Sequence, residues 1–140
     1  MRSWTNDEQN EAAVKIAQKM QFHLPGRLTT LCYYNSTLRD LRAREPELPC
    51  HTIDSYMGKE TDLVLLLTTK TNTGLTEETE RFLFDRNRLT VALTRAEEGV
   101  IVLGSQRLLE KSPLWKKLFS KLIKKIEIVS LQEFIEYLGR

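Results

Sequence analysis

Within "NRLTVALTRAEEG" (87–99), Arg88 and Arg95 stand seven residues apart in a stretch otherwise rich in Leu, Val, Ala and Thr. On a helix that spacing is about two turns, so both guanidiniums would share one face. Leu89, Leu93 and Ala96 would form a neighbouring stripe able to pack on a sheet. A guanidinium is planar, always protonated and offers paired donors, which suits the spread charge of a phosphoryl group in transfer. The plain alternative is a solvated arginine on an amphipathic helix. A second stretch, "TIDSYMGKE" (52–60), adds Gly58, whose missing side chain lets the backbone approach a phosphate or ribose closely. It also adds the Glu60 carboxylate and the Thr52 and Ser55 hydroxyls, while "TKTN" (69–72) contributes Lys70 and Asn72. Polar groups of this kind hold phosphates in register without reading a base sequence. Asp54 is better suited to holding its own loop together.

These groups need elements to position them. Asn6 to Gln21 reads as a helix, with Ala12, Ala13, Ile16, Ala17 and Met20 at helical spacing and an Asn or Asp as cap, ended by "LPG". "RLTTLCYY" (27–34) is strand-like, Ser36 to Arg44 helical, and "CHTID" (50–54) a short strand. "TDLVLLLTTK" (61–70) holds an uninterrupted apolar run, the mark of a parallel strand covered on both faces. "TNTGLTEETE" (71–80) reads as a loop, Asp85 to Arg95 as a helix and "GVIVLG" (99–104) as a buried strand. A basic amphipathic helix from Trp115 to Ile123, an edge strand "KIEIV" and a closing helix "LQEFIEYL" (131–138) complete the chain. Strands alternating with helices indicate an α/β layered fold with a mainly parallel sheet. Ligands in such sheets bind beyond the carboxyl ends of the strands, so both site segments are expected at that edge.

The chain's 140 residues suit a single domain, and 41% hydrophobic with 29% charged residues argues against disorder. A net charge of +2 does not by itself mark a nucleic-acid binder. Cys32 and Cys50 lack CxxC spacing and read as reduced thiols, His23 and His51 read as structural, and no metal site is expected. The polar, acidic start is unlike a signal peptide, and no apolar run approaches the roughly 20 residues that span a bilayer. A cytoplasmic or nuclear protein without a membrane partner is expected. "GKET" (58–61) is not a P-loop, because the earlier glycine is missing and Glu60 follows the lysine. "NDEQ" (6–9) follows no buried strand and reads as a helix start rather than a magnesium-binding acid pair.

"TIDSYMGKETDLVLL" followed by "FLFDRNRLTVALTRAEEGVIVLG" resembles motifs V and VI of superfamily 1 helicases. The branch it resembles most is the 5′-to-3′ one that includes the nonsense-mediated-decay RNA helicase. "LTTLCYYNSTLRDL" is similar to a weakened motif IV, and "SWTNDEQNEAAVKI" to the start of that family's second motor domain. The resemblance covers residues 3–107 and leaves 108–140 as an extension of one domain, 1–140. It implies a three-layer RecA-like fold of the P-loop NTPase type, with helices on both faces of the sheet. It also implies that Arg95 meets the γ-phosphate of ATP with Arg88 beside it. Glu60 and the Gly58 turn then take the ribose, and Thr52, Ser55, Lys70 and Asn72 the backbone of single-stranded RNA or DNA. Walker A and Walker B motifs are absent, so ATP with Mg2+ is expected only in company of a first RecA-like domain, in the same longer chain or in trans. Alone, the chain is expected to be inactive as an ATPase. The family's pattern is departed from at Gln9, Thr37, Met57, Asn87 and Thr90, and at Gln9 and Asn87 the family's arginine is lost, which reduces the positive charge offered to a triphosphate. A non-catalytic helicase-derived module that binds protein or nucleic acid is the alternative.

Overall fold

The computed structural model describes residues 6–56, 59–69, 95–104 and 130–138. Their order is α1 (Asp7–His23), β1 (Leu28–Cys32), α2 (Asn35–Arg44), β2 (Cys50–Thr52), a 3-10 turn (Asp54–Tyr56), β3 (Thr61–Leu67), β4 (Ala96–Leu103) and α3 (Leu131–Leu138). The four strands form one sheet in the order β2-β1-β3-β4, and every pair is parallel. This is the α/β architecture expected of the RecA-like class.

The apolar run of β3 explains the layering. Successive side chains of a strand face opposite sides of the sheet. Leu65 and Leu67 join Ala13, Ile16 and Ala17 of α1, Leu38 and Leu41 of α2, and Cys32 and Cys50 in one buried cluster, with Phe134 of α3 packed against it. Val64 and Leu66 point the other way and are just as inaccessible, as is Leu31 of β1. A strand sealed on both faces has no polar side to alternate with, hence the continuous Leu and Val run. The sealed interior also pushes the Cys32 thiol up to about 12, chiefly by burial and then by the neighbouring Cys50. Cys32 is therefore an inert thiol, donating weakly to the carbonyls of Tyr34 and His51.

Helix ends follow from local chemistry. The Asn6 side chain accepts from the Gln9 N–H at 3.0 Å and so caps α1. At the other end Gly26 adopts a left-handed φ of 75°, and its N–H donates to Gln21 Oε1. Ser130 caps α3 by accepting from the Glu133 N–H at 3.1 Å. The α3 span matches its sequence reading, and β1 and α2 match theirs to within two residues at each end. Expectations for 71–94, Trp115 to Ile123 and "KIEIV" lie outside the described residues.

The two helices of this layer are tied together through Asp40. It accepts from Asn10 Nδ2 of α1 and from Arg44 Nε of its own helix, each at 2.7 Å. The Arg44 hydrogen bond holds the Asp40 carboxyl below its ordinary range against partial burial, and Asn10 adds to it. A depressed carboxylate stabilises the fold above the ordinary carboxylate range and loses that contribution as pH falls through its folded-state value. Asp40→Asn is therefore expected to lower stability by about 1 kcal/mol at neutral pH, with the difference closing in acid. Urea denaturation at both pH values checks this, and a gap that persists undiminished in acid would count against it.

Candidate functional site

A parallel sheet has two unlike edges, and the candidate residues are divided between them. At the carboxyl end of β2, Thr52 and Ser55 fold a tight turn. The Thr52 hydroxyl accepts from the Ser55 N–H at 3.3 Å, and the Ser55 hydroxyl donates to the Thr52 carbonyl at 3.1 Å. This turn runs into the 3-10 segment, where Tyr56 is buried and its hydroxyl donates to the Glu60 carbonyl at 3.2 Å. The chain has by then returned to the amino edge, where β3 begins.

Glu60 and Arg95 meet at this amino edge. Each stands one residue ahead of its strand, and Thr61, paired with Ala96, donates its N–H to the Arg95 carbonyl at 3.0 Å. Two expectations are thereby corrected. The Glu60 and Arg95 segments converge on the amino edge rather than the carboxyl edge, because each precedes a strand instead of following one. Arg95 also occupies a bend leading directly into β4, which starts at Ala96 rather than Gly99. The rest of its expected helix, with Arg88, lies outside the described residues, as do Gly58, Lys70, Asn72, Met57, Asn87 and Thr90.

The side chains around this edge are strongly charged. Arg95 is half-buried, and its Nε is sealed from solvent with no acceptor among the described residues. An unmet buried donor costs roughly 1–3 kcal/mol, so an incoming acceptor gains from meeting it. Glu60 is exposed and hydrogen-bonds through its carboxyl to Glu97, which raises the Glu97 pKa; like-charge repulsion from Glu60 adds to this. Between the pairs Thr61–Ala96 and Leu63–Gly99, β4 carries one extra residue, and this slip falls at Glu97 and Glu98. Glu97 reaches Glu60, whereas Glu98 and Asp62 both pair with Arg27, the latter at 3.0 Å. Glu97 and Arg27 carry no recognisable motif. Their only sequence signal is that each charge flanks or opens a strand, which places them at one edge once the strands are known to be parallel.

The opposite edge explains two departures from the family pattern. Thr69, just past β3, has a left-handed φ of 68°, a strained conformation for a β-branched residue. Its N–H donates to Gln9 Oε1 at 2.8 Å, its carbonyl accepts from Asn6 Nδ2 at 2.9 Å, and its hydroxyl lies 3.3 Å from that of Thr37. Gln9 and Thr37 are buried here and hold up the end of β3. Beside them the Thr68 hydroxyl donates to the Leu103 carbonyl, and a Cβ at Gly104 would lie only 2.3 Å from that hydroxyl oxygen. The histidines are apart from both sets, with His51 tilted against Tyr56 at 5.2 Å. Among the described residues no group of three or more His, Cys, Asp or Glu side chains is arranged to hold a metal. No helix among them is long and apolar enough to cross a membrane.

A family model described as an AAA domain matches residues 1–107. The chain is 37% identical over 86 residues to a "Regulator of nonsense transcripts 1 homolog" of Arabidopsis thaliana, covering 61% of this chain and 6% of that protein. It is 28% identical over 131 residues to "Helicase SEN1" of Saccharomyces cerevisiae, covering 83% of this chain and 6% of the relative. The chain belongs to this superfamily 1 helicase family. The mouse "NFX1-type zinc finger-containing protein 1" is 32% identical over 128 residues, covering 86% of this helicase-type domain and 6% of the relative. The domain thus spans a small part of the length of each relative.

For this helicase-type domain, the Glu60–Glu97 contact is directly measurable. In a carboxyl-resolved NMR titration, Glu97 is expected to titrate above the ordinary carboxylate range. Glu60→Gln is expected to bring it back toward that range, because the like charge is gone. An unshifted Glu97 in the parent chain would remove the contact from the site.

Proposed function

We propose that this chain is the second motor domain of an ATP-dependent helicase acting on RNA or DNA, closing against a first RecA-like domain that holds the triphosphate and Mg2+. The observation that carries the reading is the junction of Glu60 and Arg95 through the Thr61–Arg95 backbone hydrogen bond. That junction brings a carboxylate acceptor and a guanidinium donor to one sheet edge, the two kinds of group that the ribose and γ-phosphate ends of a nucleotide require. The donor set fits such a ligand. The Arg95 Nε lacks an acceptor among the described residues, and Glu60 is solvent-accessible.

ATP would supply the phosphoryl group, and its binding would draw the two domains together before transfer. Arg95 donates to the oxygens on which charge spreads, with Arg88 as its neighbour in the motif. Glu60 accepts from ribose hydroxyls, and the Gly58 turn permits close approach of the backbone. Thr52, Ser55, Lys70 and Asn72 contact the nucleic-acid backbone. Nothing in the domain replaces a P-loop, so hydrolysis needs the partner domain.

The test is Arg95→Ala in a polypeptide carrying both motor domains. ATP turnover is expected to fall on the order of 10³-fold or more, with RNA binding retained. Unchanged turnover would remove Arg95 from the chemistry. A second reading, the non-catalytic module, draws support from Gln9 and Thr37. The resemblance expects a phosphate-directed arginine and a motif IV glutamine at these positions, yet both side chains here are spent on Thr69. Background turnover by the unmutated two-domain polypeptide, with nucleic acid still bound, would select that reading.

A further inference from the structure

One cluster is used by neither edge. Arg42, exposed on α2, donates from Nη2 to the Cys50 carbonyl at 3.4 Å. The Pro49 carbonyl accepts from Thr30 of β1, and the His51 carbonyl faces Cys32 of β1. The intervening Cys50 carbonyl therefore points outward, and Arg42 lies over the edge of β2 that is unpaired among the described residues. His51 comes next, half-buried, its ring 5.2 Å from that of Tyr56 at an interplanar angle of 37°. Lys59 places its Nζ 5.9 Å from the centre of the same Tyr56 ring and is otherwise exposed. The buried Tyr56 thus acts as a common floor for an imidazole and an ammonium. Arg39 lies one turn before Arg42 on α2 and is exposed, with Nη2 3.4 Å from the Ser36 hydroxyl.

We propose that Arg42, His51 and Lys59, extended by Arg39, form a docking track for the phosphodiester backbone of a single-stranded nucleic acid along the outer edge of β2. The electrostatics agree with this. Burial lowers the His51 pKa most, and both charges that act further on the ring, Lys59 and then Arg42, are positive. Two cations crowding one imidazole are relieved by an anion placed among them. The cations come from α2 and from the turn after β2, with the His51 ring between them, a spread suited to a polyanion rather than to one small ion. The hydroxyls of Thr52 and Ser55 belong to the same turn, so a strand on this track passes the residues already assigned to the backbone. The inference rests on the nucleic-acid half of the proposed function and not on its nucleotide half.

The experiment uses the 140-residue chain and a short fluorescein-labelled oligouridylate, with anisotropy followed as salt is raised. Arg42→Gln combined with Lys59→Gln is expected to weaken binding about tenfold at low salt and to reduce the salt slope by about 1.4, near 0.7 per lost contact. Lys15→Gln, which removes one positive charge from the Glu11 pair on α1, is expected to change neither quantity. Arg42→Lys is expected to recover most of the affinity, because charge rather than fork geometry serves a phosphodiester. The His51 ring resonances are expected to move on adding the oligonucleotide and to move little with inorganic phosphate. Wild-type affinity and slope in the double variant would overturn the track while leaving the nucleic-acid reading intact. Failure of the unmutated chain to bind the oligonucleotide would overturn both. Movement of the His51 resonances with inorganic phosphate but not with RNA would mark a small-anion site and overturn the track.

Discussion

The N–H of Thr61 donates to the carbonyl of Arg95 at 3.0 Å, and the remaining site geometry depends on that rung. It starts the β3–β4 ladder, which then runs from Leu63–Gly99 to Leu67–Leu103. Because the pairing is parallel, the residues just ahead of both strands must share an edge. Glu60 and Arg95 are neighbours for this reason, and no side-chain attraction between them is needed. The same rung fixes where the extra residue of β4 falls, which sends Glu97 toward Glu60 and Glu98 toward Arg27. A different register would separate the carboxylate from the guanidinium and send Glu97 and Glu98 elsewhere.

The two ends of the sheet are built for different tasks. The amino edge is charged and accessible, with Arg27 held between Asp62 and Glu98 beside the Glu60–Glu97 contact. The Arg95 Nε is sealed there and meets no acceptor among the described residues. The carboxyl edge beyond β3 is closed instead. Thr69 is held in a left-handed conformation by Asn6, Gln9 and Thr37, and Thr68 bonds across to β4. Strain of this kind persists only where several contacts over-determine it, and here three side chains from α1's cap, α1 and α2 do so. The Asn6 amide, the Gln9 Oε1 and the Thr37 hydroxyl are engaged in that support.

The proposed reading as one half of a two-domain motor accounts for a charged edge at which the Arg95 Nε meets no acceptor among the described residues, because a first domain would complete the site. Burial of Leu65 and Leu67 against α1, with Val64 and Leu66 sealed on the other face, gives the edge a stiff support. A group held on rigid strands can be presented to a ligand with little loss of order on binding.

Much of the architecture was legible in the residues alone. The apolar run of β3, the Asn6 cap and the helical spacing of Ala13, Ile16, Ala17 and Met20 depend on interactions within a few residues, so their pattern reports them directly. The resemblance to the helicase motifs likewise named Glu60 and Arg95 from local order. Tertiary structure decided the rest, because it depends on groups far apart in the chain. Which edge carries the site follows from the β3–β4 register, and the bond between Gln9 and Thr69 spans 60 residues. The Glu60–Glu97 contact and the Arg42–His51–Lys59 cluster arise only when separate elements pack side by side. Sequence periodicity records which face of an element is buried, whereas the partner across that face is set by how the chain returns upon itself.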